Sequence, residues 1–306
     1  MKINTSEEKN SKKPLTVALI PAYNEEKNIA KVILKAKKHV DLVVVCDDGS
    51  TDMTAEIAEA LGAIVVRHEE NMGYGAALAT LFEKARELKA DIAVTLDADG
   101  QHDPNDLPKL IEPLLRGEAD IVIGSRFLGE GIEEVPMYRR IGIEIITKLS
   151  KRMAYKDLTD AQSGYRAYSR KALQVVRPSE LGMGASVEIL MQAWENGLRV
   201  TEVPIVVKYG GKTSTHNPFV HGINVILSML RYVSTKRPLL FYGVPGAILL
   251  SFALIFWAWT LLVFQVTRQI ATNLALMAIG ASIAGLVLLT TSIILWTLVS
   301  LLKSAR

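Results

Sequence analysis

The chain has 306 residues, with 35 lysines and arginines, 32 aspartates and glutamates, and a formal net charge of +3. Arg268, Lys303 and Arg306 account for this surplus and all follow Pro238, so the chain before Pro238 is formally neutral. This balance argues against nucleic acid as a partner, because binding a phosphate backbone needs a strong surplus of positive charge. The single cysteine, Cys46, excludes an internal disulfide and is typical of a small buried residue in a reducing compartment.

The first part of the chain alternates between strand and helix patterns. Residues 1–14 are polar and rich in lysine, without the apolar segment of a signal peptide, and predict a disordered tail. Short β-branched runs then predict strands at Thr16–Ile20, Leu42–Cys46, Ala63–Val66, Ile92–Leu96 and Ile121–Ile123. The amphipathic stretches between them predict helices at Glu25–Lys38, Asp52–Leu61, Gly75–Lys89 and Asn105–Leu115. Apolar strands separated by helices predict an α/β fold with a mostly parallel sheet covered on both faces.

A pair of aspartates follows the fourth predicted strand, in the segment Leu96-Asp97-Ala98-Asp99-Gly100-Gln101-His102. Ligands of parallel α/β sheets bind outside the carboxyl ends of the strands. Residues two apart in extended backbone point the same way, so we expect Asp97 and Asp99 to present both carboxylates to one point. Two hard oxygen donors suit Mg²⁺ or Mn²⁺ shared with a diphosphate. A solvated acidic turn is the alternative interpretation.

Two amphipathic stretches precede the C-terminal region, at residues 140–153 and 218–237. Core helices are one interpretation of both. The second stretch runs directly into an apolar segment, which also fits a helix lying in the headgroup layer of a membrane. We predict this interfacial helix at residues 218–237.

The C-terminal region, residues 238–306, contains two long intervals without a charged residue. Each is longer than the ~20 residues that cross a hydrocarbon core, and they predict membrane helices at residues 239–266 and 274–302. A buried helical hairpin is the alternative. Cations flank the outer ends of both helices, so the positive-inside rule predicts a multi-pass cell-membrane protein with both termini and the N-terminal domain in the cytoplasm. The two helices also offer a surface for a homo-oligomer.

Four further segments accompany the aspartate pair: Pro21-Ala22-Tyr23-Asn24-Glu25-Glu26, Asp47-Asp48-Gly49-Ser50-Thr51-Asp52, Asn71-Met72-Gly73-Tyr74-Gly75-Ala76-Ala77 and Gly124-Ser125-Arg126-Phe127. Together they resemble the family 2 glycosyltransferases of the GT-A fold. Asp160-Ala161-Gln162-Ser163-Gly164-Tyr165-Arg166 and the C-terminal hairpin narrow the resemblance to the polyprenyl-phosphate sugar synthases, the dolichyl-phosphate mannose and glucose synthase group. The resemblance implies a Rossmann-like GT-A domain at residues 15–217.

By this resemblance, the chain moves one sugar, with inversion, from a nucleotide-sugar to a dolichyl or undecaprenyl phosphate at the cytoplasmic membrane face. A UDP-sugar is favoured over a GDP-sugar. The resemblance implies that Asp97, Asp99 and Gln101 hold Mg²⁺ or Mn²⁺, with the two aspartates acting in catalysis. The residues predicted at the nucleotide-sugar are Pro21, Tyr23, Glu25, Asp47, Asp48 and Ala98 by the resemblance, with Lys208 and Lys212 where this chain departs from the family. The last two, in a glycine-containing loop, would replace the cations that the family carries there, in a lid over the donor.

The acceptor phosphate has its own set of candidate residues. Guanidinium binds phosphate through two hydrogen bonds, and the candidates are Arg126, Arg139, Arg140, Ser163 and Arg166, with Arg126 also acting in catalysis. A structural salt bridge is the alternative for each arginine. Glu144 stands where the family often has a serine, four residues after Arg140. A phosphate monoester is largely ionised at neutral pH, so its attack needs no general base.

Two other functions compete with this interpretation. A processive polysaccharide synthase is expected to carry a Gln-x-x-Arg-Trp element and more membrane spans, and none of the four tryptophans here follows an arginine. A non-catalytic membrane scaffold with the same fold is expected to lose its metal-binding pair, which is intact here.

Overall fold

The structure is a computed structural model that describes residues 13–128, 158–182, 184–207, 234 and 238–304. The chain divides into two compact units, residues 1–226 and residues 227–306. Residues 1–12 of the predicted tail, the amphipathic stretch at 140–153, and the predicted interfacial helix except Ser234 lie outside the described residues. The predicted domain boundaries therefore stay predictions.

The first unit is built on a sheet of seven strands within the described residues, in the order β3-β2-β1-β4-β6-β5-β7. Its strands are β1 Thr16–Ala22, β2 Leu42–Asp47, β3 Ile64–Arg67, β4 Ile92–Thr95, β5 Ile121–Ser125, β6 Arg166–Ser169 and β7 Val200–Pro204. Strand β6 runs antiparallel to β4 and β5, and the other pairs are parallel. The predicted mostly parallel sheet is confirmed, and β6 and β7 are additions to it. Both are short, and polar residues interrupt their apolar pattern.

The helices of the first unit lie between these strands. The described helices are α1 Ile29–Ala36, α2 Thr54–Ala60, α3 Tyr74–Glu87, α4 Leu107–Leu115, α5 Arg170–Val175 and α6 Ala185–Glu195. The four predicted helices are present, but α1 begins four residues later than predicted. Asn24 has a φ of 54°, and such a left-handed residue turns the chain before the helix starts. Before α4, Asp103 accepts a hydrogen bond from Asn105 N, and Pro104–Asp106 form a 3₁₀ turn.

Two apolar layers cover the sheet, one on each face. Successive residues of β1 alternate between them: Val17 and Leu19 pack with α3, α5 and α6, whereas Ala18 and Ile20 pack with α1 and α4. Side chains of a strand alternate between faces, so a strand covered on both faces reads as continuously apolar. This packing leaves the carboxyl ends of the parallel strands β1, β2 and β4 at one edge, where the loops carrying the sequence motifs begin.

The second unit contains two long apolar helices, α7 Val244–Thr267, which a π-helical turn precedes, and α8 Thr272–Ser304. The segments Leu239–Thr267 and Thr272–Leu301 have mean hydropathies of 2.4 and 2.2 and are long and apolar enough to cross a membrane by length and composition. The helices approach closely at two glycines, because a methyl group at Gly246 would lie 3.1 Å from Gly285 O. Small residues allow such contacts between helix backbones.

Candidate active site

The aspartate pair lies in a turn beyond the end of a strand. Strand β4 ends at Thr95, and Gly100 has a φ of 72°. Asp99 Oδ1 accepts a hydrogen bond from Gln101 N at 2.9 Å, which folds the backbone into a local turn. We expected an extended backbone to point both carboxylates the same way. That reason is wrong, because the two aspartates lie beyond the strand, in a turn. Turn geometry, rather than an extended backbone, positions Asp99.

A third carboxylate, Glu25 from the loop after β1, joins the pair. Burial raises the pKa of Glu25, and the charge of Asp99 raises it further. Burial raises the pKa of Asp97 to about 6, where the charge of Glu25 adds to the shift and Tyr74 and Arg126 oppose it. The negative charges of Glu25 and the two aspartates therefore act on one another. Like charges held together in this way favour a bound cation.

The aspartate turn is accessible from outside the protein. The Asp97 side chain keeps 33% of its surface exposed, and Asp99 and Gln101 are partly exposed. Among the residues that the structure describes, no group of three or more histidine, cysteine, aspartate or glutamate side chains is arranged to hold a metal ion. Two accessible carboxylates are a donor set that Mg²⁺ accepts when substrate phosphates supply further oxygens.

His102 lies behind the aspartates. Its Nδ1 atom is 3.6 Å from Asp97 Oδ2 and has no hydrogen-bond partner within the described part of the chain. The ring packs against Tyr165 with centroids 5.0 Å apart, and the side chain is only 7% exposed. Burial lowers the pKa of His102 to about 4, although nearby aspartates oppose the shift. The imidazole is thus neutral at pH 7.

Asp48 shapes the loop that leads into α3. Its Oδ1 accepts hydrogen bonds from Met72 N and from the His68 ring, and its Oδ2 accepts one from Gly73 N. The residue is 4% exposed. Both carboxylate oxygens of Asp48 thus bind the protein's own loop, and its predicted contact with the nucleotide-sugar stays a prediction.

The remaining residues predicted to bind the nucleotide-sugar differ in solvent exposure. Tyr23 is 46% exposed, whereas Pro21 is buried. Ala98 is 2% exposed and belongs to the apolar layer of α1 and α4, and its predicted contact with the donor stays a prediction. Asp47 is fully buried; Arg67 Nε lies 3.0 Å from its Oδ2, and its Oδ1 has no hydrogen-bond partner among the described residues. An unpaired buried oxygen is costly, and a donor group of a ligand would satisfy it.

Arg126 follows β5 and pairs with a buried carboxylate. Its Nε lies 2.6 Å from Asp160 Oδ2 and its Nη2 lies 2.8 Å from Asp160 Oδ1. Burial alone would raise the pKa of Asp160, but the charge and hydrogen bonds of Arg126 lower it. Glu202 of β7 accepts hydrogen bonds from Thr159 N and Asp160 N at 2.8 Å. The Arg126 side chain, 16% exposed, is therefore held in a fixed orientation, and its positive charge lowers the pKa of both Asp97 and His102.

Arg166 and Ser163 lie inside the protein. Arg166 is 1% exposed and donates to three backbone carbonyls, those of Ala161, Ser163 and Ser186, at 2.7–2.8 Å. Ser163 is also 1% exposed, and its hydroxyl accepts a hydrogen bond from Tyr165 N. Neither side chain reaches the surface, and their predicted contact with the acceptor phosphate stays a prediction. The two residues fix the loop that carries Asp160.

Four predicted cations, Arg139, Arg140, Lys208 and Lys212, lie outside the described residues. Their roles stay predictions.

Three residues that the sequence analysis did not assign to the site support it. Asp160 holds Arg126, and the Tyr74 hydroxyl borders the same space as the Asp97 carboxylate. Glu188 is 4% exposed and accepts hydrogen bonds from Ser179 N and Glu180 N at 2.8 Å, fixing a loop that packs against the start of α3. Asp160 and Tyr74 belong to two of the sequence motifs described above. A motif alone does not reveal which residues of distant segments contact each other.

Comparisons with known proteins give consistent matches. The family model described as "Glycosyl transferase family 2" matches residues 17–177. The UDP-N-acetylglucosamine--dolichyl-phosphate N-acetylglucosaminyltransferase of Methanococcus voltae is 35% identical over 234 residues, which cover 70% of this chain and 91% of that protein. The polyprenol monophosphomannose synthase of Mycolicibacterium smegmatis is 31% identical over 203 residues, 62% of this chain and 76% of that protein.

A solved structure shares the fold. Glucosyl-3-phosphoglycerate synthase from Mycobacterium tuberculosis, in complex with Mn²⁺, UDP and glucosyl-3-phosphoglycerate, superposes with a TM-score of 0.57 at 26% identity. The match covers 71% of this chain and 79% of that one.

Proposed function

The chain belongs to glycosyl transferase family 2, and from that premise we propose that it transfers one sugar from a nucleotide-sugar to a polyprenyl phosphate at the cytoplasmic face of a membrane. The observation that carries the proposal is the accessible turn of Asp97 and Asp99 after β4, in a unit where Asp160 holds the Arg126 guanidinium through two hydrogen bonds after β5. The aspartates suit a cation at the departing diphosphate, and the arginine suits the attacking phosphate of the acceptor.

The donor is a UDP-sugar in this proposal. Relatives support it: the Methanococcus voltae protein is named for UDP-N-acetylglucosamine, and the Mycobacterium tuberculosis structure holds UDP. In this chain, Asp47 Oδ1, which has no hydrogen-bond partner within the described part of the protein, would accept a hydrogen bond from a ring N–H of the base. Tyr23, which is 46% exposed at the adjacent loop, would cover the nucleoside.

Asp97, Asp99 and Gln101 would hold a divalent metal ion, Mg²⁺ or Mn²⁺. When bound, the ion neutralises the charge that develops on the departing diphosphate. Two protein carboxylates leave coordination positions for diphosphate oxygens, in keeping with the open acidic turn. Metal dependence is supported by the Mn²⁺ in the Mycobacterium tuberculosis structure.

Arg126 would hold the acceptor phosphate beside the donor. Asp160 fixes the position of Arg126 in the folded protein. Substrate binding therefore does not have to lower the conformational entropy of this long side chain. The phosphate is ionised at neutral pH and attacks directly. A single displacement of this kind inverts the configuration at the sugar carbon. Arg139, Arg140, Lys208 and Lys212 are proposed as further cations for the acceptor and the donor.

The two apolar helices would anchor the enzyme where the acceptor resides. An isoprenoid tail stays in the bilayer, so a membrane-anchored catalytic domain meets its headgroup without extracting the lipid. Lys236, Arg237, Lys303 and Arg306 flank the predicted spans and favour cytoplasmic ends.

The proposal is tested with membranes that contain the protein. They are incubated with polyprenyl phosphate, Mg²⁺ or Mn²⁺, and a panel of labelled UDP- and GDP-sugars, and the lipids are then extracted into organic solvent. We expect label from one UDP-sugar in the lipid phase and none after chelation with EDTA. Absence of label from every donor would overturn the proposal, and label only from a GDP-sugar would overturn the choice of nucleotide.

Two variants make the result specific to the site. Asp97→Ala should lower the rate by on the order of 10³-fold, because it removes a ligand of the charge-neutralising ion. Glu112→Gln removes a carboxylate whose side chain is 60% exposed on α4 and should leave the rate unchanged. A scaffold without activity would instead leave both variants indistinguishable from the parent.

A further inference from the structure

Three segments that are distant in the sequence converge on the carboxylate of Asp97. They are the first residue of α3, Tyr74; the turn after β4; and Gly164, which precedes β6. A methyl group at Gly164 would lie 2.6 Å from the Tyr74 hydroxyl oxygen and 3.2 Å from both carboxylate oxygens of Asp97. The hydroxyl and the carboxylate therefore border the same small space, which only a glycine leaves open.

The Tyr74 hydroxyl and the Asp97 carboxylate border the same space, and beside a carboxylate, which only accepts, a phenol can serve only as the hydrogen-bond donor. Burial, and then the negative charge of Asp97, raise the pKa of Tyr74 well above its usual value. Hydrogen bonding by Tyr74 also opposes the upward shift of the Asp97 pKa, so the contact favours the charged carboxylate.

Hydrogen bonds fix the backbone immediately before and after Tyr74. Gly73 N donates to Asp48 Oδ2 at 2.9 Å, and Gly75 N donates to Leu181 O at 2.8 Å. Gly73 has a φ of 98°, and a methyl group at Gly75 would lie 1.9 Å from Glu180 O. The backbone on either side of the ring thus has little freedom. A side chain placed so firmly beside a functional carboxylate restricts the orientation of that carboxylate.

We infer that Tyr74 is a positioning residue, which orients the Asp97 carboxylate toward the divalent ion. The inference rests on the proposed function, because it takes Asp97 as a ligand of that ion. Groups that hydrogen-bond to a metal ligand fix its orientation, and their loss typically weakens metal affinity by 10–100-fold. The proposed role of Tyr74 concerns the site before any reaction, so metal binding alone can test it.

The test compares Tyr74→Phe with the parent by titrating Mn²⁺ into the full-length protein with UDP present, and following free Mn²⁺ by electron paramagnetic resonance. We expect the variant to bind Mn²⁺ 10–100-fold more weakly. Its transfer rate should recover at saturating Mn²⁺, a recovery that general damage to the fold would not produce. Equal Mn²⁺ affinity in the two proteins would overturn the inference.

A matched control and a second variant keep the test decisive. Tyr165→Phe also removes a buried hydroxyl, one that donates to Asp103 O at 3.1 Å, and should leave Mn²⁺ affinity unchanged. If Tyr74→Phe fails to fold, Gly164→Ala tests the same space, because its methyl group would push the hydroxyl and the carboxylate apart. Normal Mn²⁺ affinity in folded Gly164→Ala would then overturn the inference. Absence of Mn²⁺ binding by the parent would count against the proposed function instead.

Discussion

Arg126 and Asp160 form a two-point ion pair in which both oxygens of a fully buried carboxylate face the guanidinium, at 2.6 Å and 2.8 Å. Such a pair fixes the plane of the arginine as well as its position. Asp160 is in turn held by Glu202 of β7 through its backbone N–H. The candidate cation for phosphate therefore depends on a carboxylate that touches no substrate in the proposed reaction.

Replacing Asp160 by Asn tests that dependence. The amide keeps the shape of the side chain but removes the charge and one acceptor, so Arg126 should lose its fixed plane. We expect transfer to fall by about 10²-fold, the scale of a small misplacement in an active site. The measurement is the rate of sugar transfer to polyprenyl phosphate at saturating donor.

A double-variant comparison identifies the cause of that loss. If Asp160 acts through Arg126, then adding Asp160→Asn to Arg126→Lys should cost much less than it does in the parent. Fully additive losses would show that the two residues act independently.

Gly75 allows α3 to start against the loop 180–182. A methyl group there would lie 1.9 Å from Glu180 O and 2.9 Å from Gly182 O, and these are backbone atoms. Gly75→Ala should therefore destabilise the protein by about 1–3 kcal/mol, which lowers the thermal midpoint by roughly 2–4 °C per kcal/mol. Gly182→Ala is the control, because its methyl group meets only the tip of the Glu180 side chain at 4.0 Å. Equal midpoints for both variants would contradict the expected clash.

Asp120 predicts an acid-dependent contribution to stability. Burial would raise its pKa, but hydrogen bonds from Arg199 N and Nε and the charge of Lys171 lower it. A lowered folded pKa adds stability that is complete above the unfolded value, roughly 3.9, and is lost as the pH falls through the folded value. Asp120→Asn should therefore lower the thermal midpoint at pH 7.

The difference between Asp120→Asn and the parent should then shrink as the pH falls from 5 to 3. Thermal unfolding followed by circular dichroism at several pH values measures it. A difference that stays constant over this range would show that the carboxylate has an ordinary pKa in the folded protein.

Cys46 should be unreactive in the folded protein. The thiol has no exposed surface, and burial, followed by the charges of Asp48 and Asp47, raises its pKa to about 12. Since the thiolate is the reactive form, a thiol reagent should label it only after unfolding. The measurement is the labelling rate at pH 8 with and without denaturant. Labelling of native protein at the denatured rate would show that β2 is open to solvent.

The sequence by itself determined the layers of the fold. Runs of apolar, β-branched residues identified the parallel strands of the sheet. Strands such as β1 and β2 are buried on both faces, so polar residues do not interrupt their apolar runs. Strand β6, Arg166–Ser169, escaped this reasoning, since its arginine is buried through three hydrogen bonds to carbonyl oxygens that no local pattern reveals. The two long apolar segments of the C-terminal helices could likewise be identified from composition.

Only the tertiary structure decided which polar residues are accessible and which support others. Asp97 and Asp48 each follow a strand, yet Asp97 keeps a third of its surface open whereas Asp48 binds the loop beside it. Arg126 and Arg166 are equally plausible phosphate ligands in the sequence, but Arg166 is enclosed and Arg126 is not. The physical reason is that a polar side chain gains its partners from segments distant in the chain, and burial then determines whether a ligand can compete with those partners.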